Sequence, residues 1–289
     1  MSSVLYDAPG PRARRNTLIG SVIGGGVILA LLGYVIYRLN AAGQFAPELW
    51  GPLLNPNNEF FRQVWNLLLS GFRLTLEAAA LSIVFSVAVG VLLGILRLSL
   101  PPAFRWPVVL FIELARGTPV VMAIFFAYVV LPSVGLRWPL LWYLVLALTV
   151  YNSVIIAEIL RAGVNSLPNG QREAGLAIGL TPVRTLWLIQ LPQAFRIMLP
   201  ALISQAVVAL KDTTLAAVTM AGFAEALNQA KPIYQNLGNP IQVYFVVGII
   251  FITINYLLSR LAVWLEGRVS RRTSGDAHAL DKAAQIEDA

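Results

Sequence analysis

Long apolar runs separated by short polar segments form the dominant pattern of this chain. An α-helix needs about 20 consecutive apolar residues to cross the hydrocarbon core of a bilayer. Runs of that order cover residues 18–37, 74–96, 107–131, 139–160, 200–223 and 241–258. The pattern predicts an all-α polytopic membrane protein with six transmembrane helices, an N-terminal helix followed by a core of five.

The segments around these runs divide the chain further. Residues 1–17 are polar and basic, and residues 18–38 are predicted to form the N-terminal transmembrane helix. Residues 70–266 hold the five-helix core. Residues 39–69, rich in Pro and Asn, predict a loop with a short interfacial helix. Residues 267–289 are charged and are predicted to be a disordered tail.

The core has one long polar-rich interruption, residues 162–196. Within it, residues 170–192 predict a short helix, a turn at residues 181–182 and a second helix that stops before Pro192. Its small residues allow close approach of neighbouring backbones, and Glu173 can pair with a basic residue of a partner. An ordinary amphipathic helix lying on the membrane is the alternative interpretation.

Polar residues also interrupt the apolar runs themselves. Pro119 is expected to kink the third span or to start a new helix, because proline removes a backbone donor. Glu113 and Arg116 are spaced to pair on one helix face. The charged segment 211–214 predicts a discontinuous fifth span, because charges inside a membrane are tolerated beside protein or water.

Six of these interrupting residues are candidates to line a substrate pathway. They are Thr118, Asn152, Glu158, Lys211, Asp212 and Thr214. A polar solute that crosses a membrane needs hydrogen-bond donors and acceptors along its path. The alternative is structural: Lys211 and Asp212 would pair to hold a helix break, and Glu158 would pair with Arg161 at the membrane boundary.

Composition narrows the function. The chain is 57% hydrophobic and only 12% charged, which is typical of membrane proteins. Its net charge of +7 comes from arginines that flank the apolar runs, which favours a membrane boundary over nucleic acid. It has no cysteine, and its single histidine, His278, lies in the polar tail, so neither a metal site nor a catalytic triad is expected. No phosphate-binding loop of the form Gly-x-x-x-x-Gly-Lys-Ser/Thr occurs, so no ATP site is expected in this chain.

The distribution of arginines also predicts an orientation. More of them lie on the side of the N-terminus than on the opposite side when six spans are drawn, which predicts that both termini are cytoplasmic. The same arrangement places residues 162–196 in the cytoplasm.

The spacing inside that loop matches a known pattern. Glu173-Ala174-Gly175, then Gly179, then an Ile-x-Leu-Pro that ends at Pro192, resembles the cytoplasmic coupling loop of ABC-importer permeases. Gly175 stands where the pattern prefers Ala, and this exchange of small residues is expected to matter little. The residues that the resemblance implies in ATPase coupling are Gly170, Gln171, Glu173, Ala174, Gly175, Gly179 and Pro192.

Further segments resemble permeases of the polar-amino-acid (histidine, glutamine and glutamate) family. These are the Arg-Gly-Thr-Pro of residues 116–119, the segment 157–163, and the Lys-Asp-Thr-Thr-Leu of residues 211–215. Together with the coupling loop they cover residues 74–265. Residues 3–11 are similar to the N-terminal segment of glutamate-permease subunits of actinobacteria.

The resemblance implies a transport subunit, not an enzyme, in the cytoplasmic membrane of a bacterium. Its expected partners are ABC ATPase subunits that carry Mg-ATP, a second permease subunit of different sequence and an external substrate-binding protein. The expected substrate is a polar amino acid, glutamate above others, and no cofactor is expected in this chain. The alternative is a secondary transporter driven by an ion gradient, which also uses broken helices, although no internal repeat is visible. A membrane enzyme or a channel would need a catalytic cluster or a filter segment, and the sequence shows neither.

Overall fold

The computed structural model describes the backbone of residues 10–287 and the side chains of residues 10–261, 263 and 264. All regular structure in this part of the chain is helical, which confirms the predicted all-α class. The helices are α1 (Pro11–Ala41), α2 (Pro47–Leu54), α3 (Phe61–Ser99), α4 (Pro102–Gly117), α5 (Val120–Ser133), α6 (Leu140–Asn165), α7 (Asn169–Ala177), α8 (Pro182–Thr185), α9 (Leu191–Asp212), α10 (Ala216–Thr219), α11 (Ala226–Leu237) and α12 (Pro240–Glu287). A π-helical turn, Leu186–Gln190, joins α8 to α9, and a 3₁₀ turn, Thr213–Leu215, joins α9 to α10.

Five continuous helical stretches of the described chain are long and apolar enough to cross a membrane. They are Pro11–Ala41, Phe61–Ser99, Leu140–Asn165, Pro182–Thr219 and Pro240–Leu261. A sixth span exists if α4 and α5 are counted together. The five core spans and the N-terminal helix therefore lie where the apolar runs predict them.

The third predicted span is sharply bent instead of being one kinked helix. The axes of α4 and α5 meet at 102°. Thr118 is extended between them, with ψ at 127°, because a residue that precedes proline avoids the helical region. Pro119 is the N-cap of α5 and directly precedes its first residue, a place where the N–H that proline lacks has no helical partner to lose.

The centre of the bundle is the long contact between α3 and α6. A β-carbon at Gly90 would lie 2.7 Å from both the Ser153 carbonyl oxygen and the Ile156 β-carbon. One turn later, a β-carbon at Gly94 would lie 2.7 Å from Leu160 Cδ2. Spacing of two glycines by four residues lets α6 approach the backbone of α3 closely, which is a common way to pack helices in membranes.

A second core lies at the opposite end of α3. Leu53 of α2, Leu68 and Phe72 of α3, Ala230 of α11 and Val247 of α12 belong to one buried cluster. Hydrogen bonds between distant parts of the chain reinforce it. The amide nitrogens of Asn239 and Gln242 donate to the carbonyl oxygens of Leu49 and Gln44, at 2.9 and 2.6 Å.

The N-terminal helix differs from the other spans, since no residue of α1 is buried. It is longer than predicted and begins at Pro11, so the basic residues Arg12, Arg14 and Arg15 belong to its first turns. Proline is well suited to a first helical position. The segment similar to glutamate permeases, residues 3–11, lies mostly outside the described residues.

Two predictions about the fifth span are wrong. The helix does not stop before Pro192, because Pro192 occupies the first turn of α9, directly after the π-helical turn. Proline has no backbone N–H, so it normally loses the hydrogen bond to the carbonyl four residues earlier. The π-helical turn has already shifted the hydrogen bonds away from that spacing, so proline loses little there. The span is also not broken at residues 211–214, where the chain tightens into the 3₁₀ turn and keeps helical dihedrals throughout.

The last helix is also longer than predicted. The backbone of α12 continues to Glu287, so residues 267–287 are helical where the sequence predicts a disordered tail. This segment contains four Ala and three Arg residues, which favour helices even where no apolar face drives packing. Residues 288–289 lie outside the described residues.

Candidate functional site

The most polar surface feature of the core is the short helix α7 and the turn that ends it. Gly179 adopts a positive φ of +85°, which costs glycine little. The Leu180 N–H donates to the Gly175 carbonyl at 3.1 Å, and the Gly179 N–H donates to the Leu176 carbonyl at 3.0 Å. These two bonds form a Schellman motif, which ends the helix and satisfies its last carbonyls.

The surroundings of Gly179 show why this position needs a glycine. A β-carbon at Gly179 would meet nothing within 4 Å, and the same is true at Gly170. Within the described chain, neither glycine brings two backbones together. Gly179 is needed for its left-handed conformation, and no steric demand on Gly170 is visible among the described residues.

Gly175 has the opposite character. It is buried, and a β-carbon there would lie 2.6 Å from Thr185 Cγ2, 2.9 Å from Thr185 Oγ1 and 3.0 Å from Ile189 Cδ1. Such distances are shorter than real contacts allow, so an Ala at this position would force α7 away from α8 and the π-helical turn. Gly and Ala are therefore not interchangeable at position 175 of this chain.

Hydrogen bonds complete the attachment of α7. Gln193 of α9 donates to the Gln171 side-chain oxygen at 3.1 Å. The Thr181 hydroxyl accepts from the Arg184 N–H at 3.3 Å and caps α8. Packing of Gly175 and the bond of Gln171 thus connect α7 both to the π-helical turn and to the start of a membrane span.

The outer face of this assembly is open. Glu173 and Ala174 are exposed, and Glu173 forms no ion pair in the described part of the chain. Ile178 is 76% exposed, and Trp187 on the π-helical turn is also exposed. An acidic side chain beside exposed apolar ones, on a helix fixed from behind, forms a surface suited to a protein partner.

A chain of ion pairs crosses the neighbouring ends of α3, α4 and α6. Arg97 pairs with Glu158 of α6 and lies 3.8 Å from a carboxylate oxygen of Glu113 on α4. Glu158 also accepts from Arg161 at 3.0 Å, and Glu113 accepts from Arg116 at 2.8 Å. The two pairs within single helices are the predicted ones, and Arg97, which joins them, is not among the predicted site residues.

These contacts involve the carboxylate of Glu158 in ion pairs with two helices. Both of its carboxylate oxygens bind arginines, and its side chain is only 16% exposed. The carboxylate is therefore occupied in structural pairing, as the alternative interpretation predicts. Its placement on a substrate pathway stays a prediction.

Two pathway candidates lie near one apolar cavity of about 730 Å³ between α5 and α6. Thr118 lines it at the bend between α4 and α5, with its hydroxyl donating to the Leu114 carbonyl at 2.9 Å. Asn152 lies next to a lining residue, Tyr151, but is buried. Its amide donates to the Leu148 carbonyl at 2.8 Å and accepts from Gln205 at 2.6 Å, so it joins α6 to α9.

The remaining three candidates lie together at the 3₁₀ turn. Lys211 is exposed, Asp212 is half-buried, and the Thr214 hydroxyl donates to the Lys211 carbonyl at 2.7 Å. Lys211 and Asp212 form no ion pair with each other or with other described residues, so the suggested pair is absent. Successive residues of a helix point in directions about 100° apart, which explains why neighbouring charges do not meet.

A second polar cluster, unpredicted from the sequence, follows this span. Glu225 is fully buried and caps α11, since its carboxylate accepts from the Leu227 and Asn228 N–H groups at 2.8 and 2.7 Å. Lys231 donates to the Asn228 side chain at 2.7 Å and to the Ala217 carbonyl of α10 at 3.0 Å. The only signal in the sequence is an acidic residue placed just before an amphipathic helix.

Burial opposes the charge of this carboxylate. Desolvation raises the pKa of Glu225 above its ordinary value, while the two backbone N–H groups and the nearby Lys231 ammonium act in the lowering direction. No group of three or more metal-ligating side chains occurs among the residues described, so this cluster has the character of a structural capping site.

Comparison with known proteins places the fold and the α7 surface in context. Residues 86–271 match the family described as binding-protein-dependent transport system inner membrane component. The chain is 37% identical to the glutamate transport system permease protein GluD of Corynebacterium glutamicum, over 79% of this chain and 82% of that protein. It is 33% identical to the probable glutamine ABC transporter permease protein GlnP of Bacillus subtilis, over 70% and 93% of the two chains.

The fold is similar to that of a solved relative. A crystal structure of an amino acid ABC transporter with histidines superposes with a TM-score of 0.66 at 28% sequence identity. The match covers 72% of this chain and 96% of the other.

Proposed function

We propose that this chain, which belongs to the family of binding-protein-dependent transport system inner membrane components, carries glutamate into a bacterial cell. The class follows from the family and the relatives: it is a multi-pass permease subunit of an amino-acid ABC importer. Glutamate is supported by the similarity to the Corynebacterium protein. Other similar proteins are named for glutamine and cystine, so the choice among amino acids is the part that needs testing.

The observation that carries the mechanism is the attachment of α7. Its front, with Glu173 and Ala174, is exposed, while its back is fixed to the π-helical turn by Gly175 and to α9 by Gln171. A push on such a helix moves the adjoining membrane span with it. We infer that the front binds an ABC ATPase subunit, which supplies the Mg-ATP chemistry.

The proposed cycle uses these connections. Two permease subunits, each with its ATPase, would form the assembly, and an external binding protein would deliver the amino acid. Closure of the ATPases on ATP would push the two α7 helices together. Because α9 hydrogen-bonds to α7 through Gln193 and to α6 through Gln205, the spans would tilt as a group from inward-facing to outward-facing.

The orientation that this cycle needs agrees with the arginines. Arg97, Arg105 and Arg161 lie at the same end of the bundle as Arg172 of α7. The excess of basic residues marks the cytoplasmic side. The proposal therefore places both termini and α7 in the cytoplasm, and the second core of α2, α11 and α12 at the outer face.

Uptake measurements test the substrate. Cells that lack the importer and cells that carry it are given radiolabelled glutamate, with unlabelled glutamate, glutamine or cystine as competitors. We expect uptake to depend on the importer, to be competed best by glutamate and to stop when ATP is depleted. Stronger competition by glutamine or cystine would refute the choice of glutamate. Uptake that survives ATP depletion on an ion gradient would refute the ATP-driven mechanism.

A further inference from the structure

A basic cavity of about 430 Å³ lies where the ends of α3, α4 and α6 meet. It is lined by Arg97, Arg105 and Arg161, with Leu98, Val109 and Asn165 between them. The proposed transport cycle assigns no role to this cavity. Three guanidinium groups around one concave surface form a site for an anion.

The ion pairs nearby leave this cavity with an excess of positive charge. Glu158 is shared between Arg97 and Arg161, and Glu113 is bound by Arg116 and lies 3.8 Å from Arg97. Three guanidinium groups line the cavity, and of the two nearby carboxylates one is also bound by Arg116 outside it. Arg105 has no ion pair among the described residues. Each guanidinium carries five N–H donors, so most donors around the cavity stay available to a ligand.

The surroundings of Arg105 select the kind of anion. Phe104 and Trp106, its neighbours at the start of α4, are 70% and 62% exposed. Farther along the helix, Leu110 and Phe111 are exposed as well. Aromatic side chains at a helix end mark the bilayer interface, and exposed apolar residues beyond it contact acyl chains. The cavity thus lies at headgroup depth beside a surface for lipid tails.

We propose that this cavity binds the phosphate of an anionic phospholipid, with its acyl chains along the apolar face of α4. Basic pockets between membrane helices are suited to such headgroups. The bound phosphate would neutralise the excess charge and would hold α4 beside α3 and α6. Assignment of the lipid to the cytoplasmic leaflet rests on the proposed function, which sets the orientation of the chain. Binding of the lipid does not depend on that orientation.

Native mass spectrometry of the purified full chain, alone or in its assembly, tests the site. Dioleoylphosphatidylglycerol and dioleoylphosphatidylcholine are titrated in parallel, since they share acyl chains and differ in net charge. We expect preferential binding of phosphatidylglycerol. Arg105→Gln should reduce its affinity about fivefold, the effect of one charge near a membrane surface. Arg105→Lys should retain most of the preference.

The matched control is Arg137→Gln, because Arg137 is also exposed and lies beside a tryptophan. It lies just before α6, whose opposite end carries the cavity residues Arg161 and Asn165. The substitution should leave lipid binding unchanged. Equal binding of the two lipids by the wild type, or an unchanged preference in Arg105→Gln, would overturn the proposal. Displacement of the lipid by millimolar inorganic phosphate would also overturn it, since that result identifies a site for a soluble anion. None of these measurements needs ATP or substrate, so failure of the transport proposal would be seen separately.

Discussion

A β-carbon on Gly175 would lie 2.6 Å from Cγ2 of Thr185, so the contact between α7 and α8 exists only because residue 175 has no side chain. The close fit therefore depends on this pair of residues. We predict that Gly175→Ala costs about 2 kcal/mol of local stability through overpacking. Hydrogen exchange of residues 169–190 measures this cost, and glutamate uptake should fall with it.

A double-mutant cycle tests the contact between Gly175 and Thr185. Thr185→Ala removes both the Cγ2 and Oγ1 atoms that a β-carbon at 175 would meet. The double variant Gly175→Ala/Thr185→Ala should therefore recover most of the protection and uptake that Gly175→Ala loses. Gly170→Ala is the control, because a β-carbon there meets nothing within 4 Å. Additive effects of the two substitutions would show that the contact does not couple α7 to α8.

Gly179 should respond to backbone conformation instead of side-chain volume. Its φ is +85° and its surroundings are open, so Gly179→Val should cost about 1–2 kcal/mol through strain alone. The side chain of Asn is similar in size to that of Val, but Asn adopts the left-handed conformation more readily. Gly179→Asn therefore tests conformation at nearly constant volume. We expect the Asn variant to retain more uptake than the Val variant. Equal loss of uptake in both variants would show that side-chain volume at the partner surface is the cause. It would exclude strain in the Schellman turn as the cause.

Glu173 should act through its charge on the partner surface. The side chain is exposed and unpaired in the described chain, so Glu173→Lys is expected to leave membrane insertion unchanged. Reversal of a charge at an interface should lower ATPase binding and uptake at least about tenfold. Glu59→Lys is the control, because Glu59 is exposed in the connection before α3. Normal uptake by Glu173→Lys would remove Glu173 from the coupling surface.

The sequence predicts well those features that depend on neighbours along the chain. Six apolar runs identify the spans because membrane crossing depends on the length and polarity of a local segment. The ion pairs Glu113–Arg116 and Glu158–Arg161 are also predictable, since residues three apart share a helix face. The start of a new helix at Pro119 follows from the missing N–H of proline.

Features that depend on distant residues were not predictable from the same pattern. Arg97 reaches Glu158 only because Gly90 and Gly94 bring α6 against α3. The sequence distance of 61 residues contains no sign of that contact. The intolerance of Gly175 likewise depends on Thr185, and the burial of Glu225 depends on how α11 packs against α3. Periodicity describes which face of a helix is apolar, but it does not identify the neighbouring helix.

Arg97 should be the most important member of the ion-pair chain. Its side chain is 16% exposed, whereas that of Arg116 is 53% exposed. Arg97→Met leaves Glu158 half-buried with one partner fewer, which should cost about 2 kcal/mol. Arg116→Met, the control, should cost about 0.5 kcal/mol, as exposed pairs do. Thermal unfolding in a neutral detergent checks this order, and equal losses would show that the link between α3 and α6 contributes little.

Glu225 predicts a dependence of stability on pH. Burial raises the pKa of its carboxyl in the folded chain, so the folded state binds more protons than the unfolded state between the ordinary value of 4.5 and the raised value. In that interval the contribution of Glu225 to the free energy of unfolding falls as pH rises. The contribution is fully present below pH 4.5 and is lost above the raised pKa.

Comparison of the wild type with Glu225→Gln isolates this contribution, because the pH dependence of all other groups cancels in the difference. The Leu227 and Asn228 N–H groups bind different oxygens of the carboxylate, and Gln keeps an acceptor for one of them. The lost hydrogen bond lowers stability equally at every pH, whereas the missing charge removes the pH-dependent cost of desolvation. The stability of the variant relative to the wild type should therefore increase from pH 4.5 towards pH 7.5, as measured by tryptophan fluorescence during thermal unfolding. A decrease in the relative stability of Glu225→Gln as pH rises would contradict this prediction. It would mean that attraction by Lys231 outweighs burial, so that the folded chain favours the ionised carboxylate.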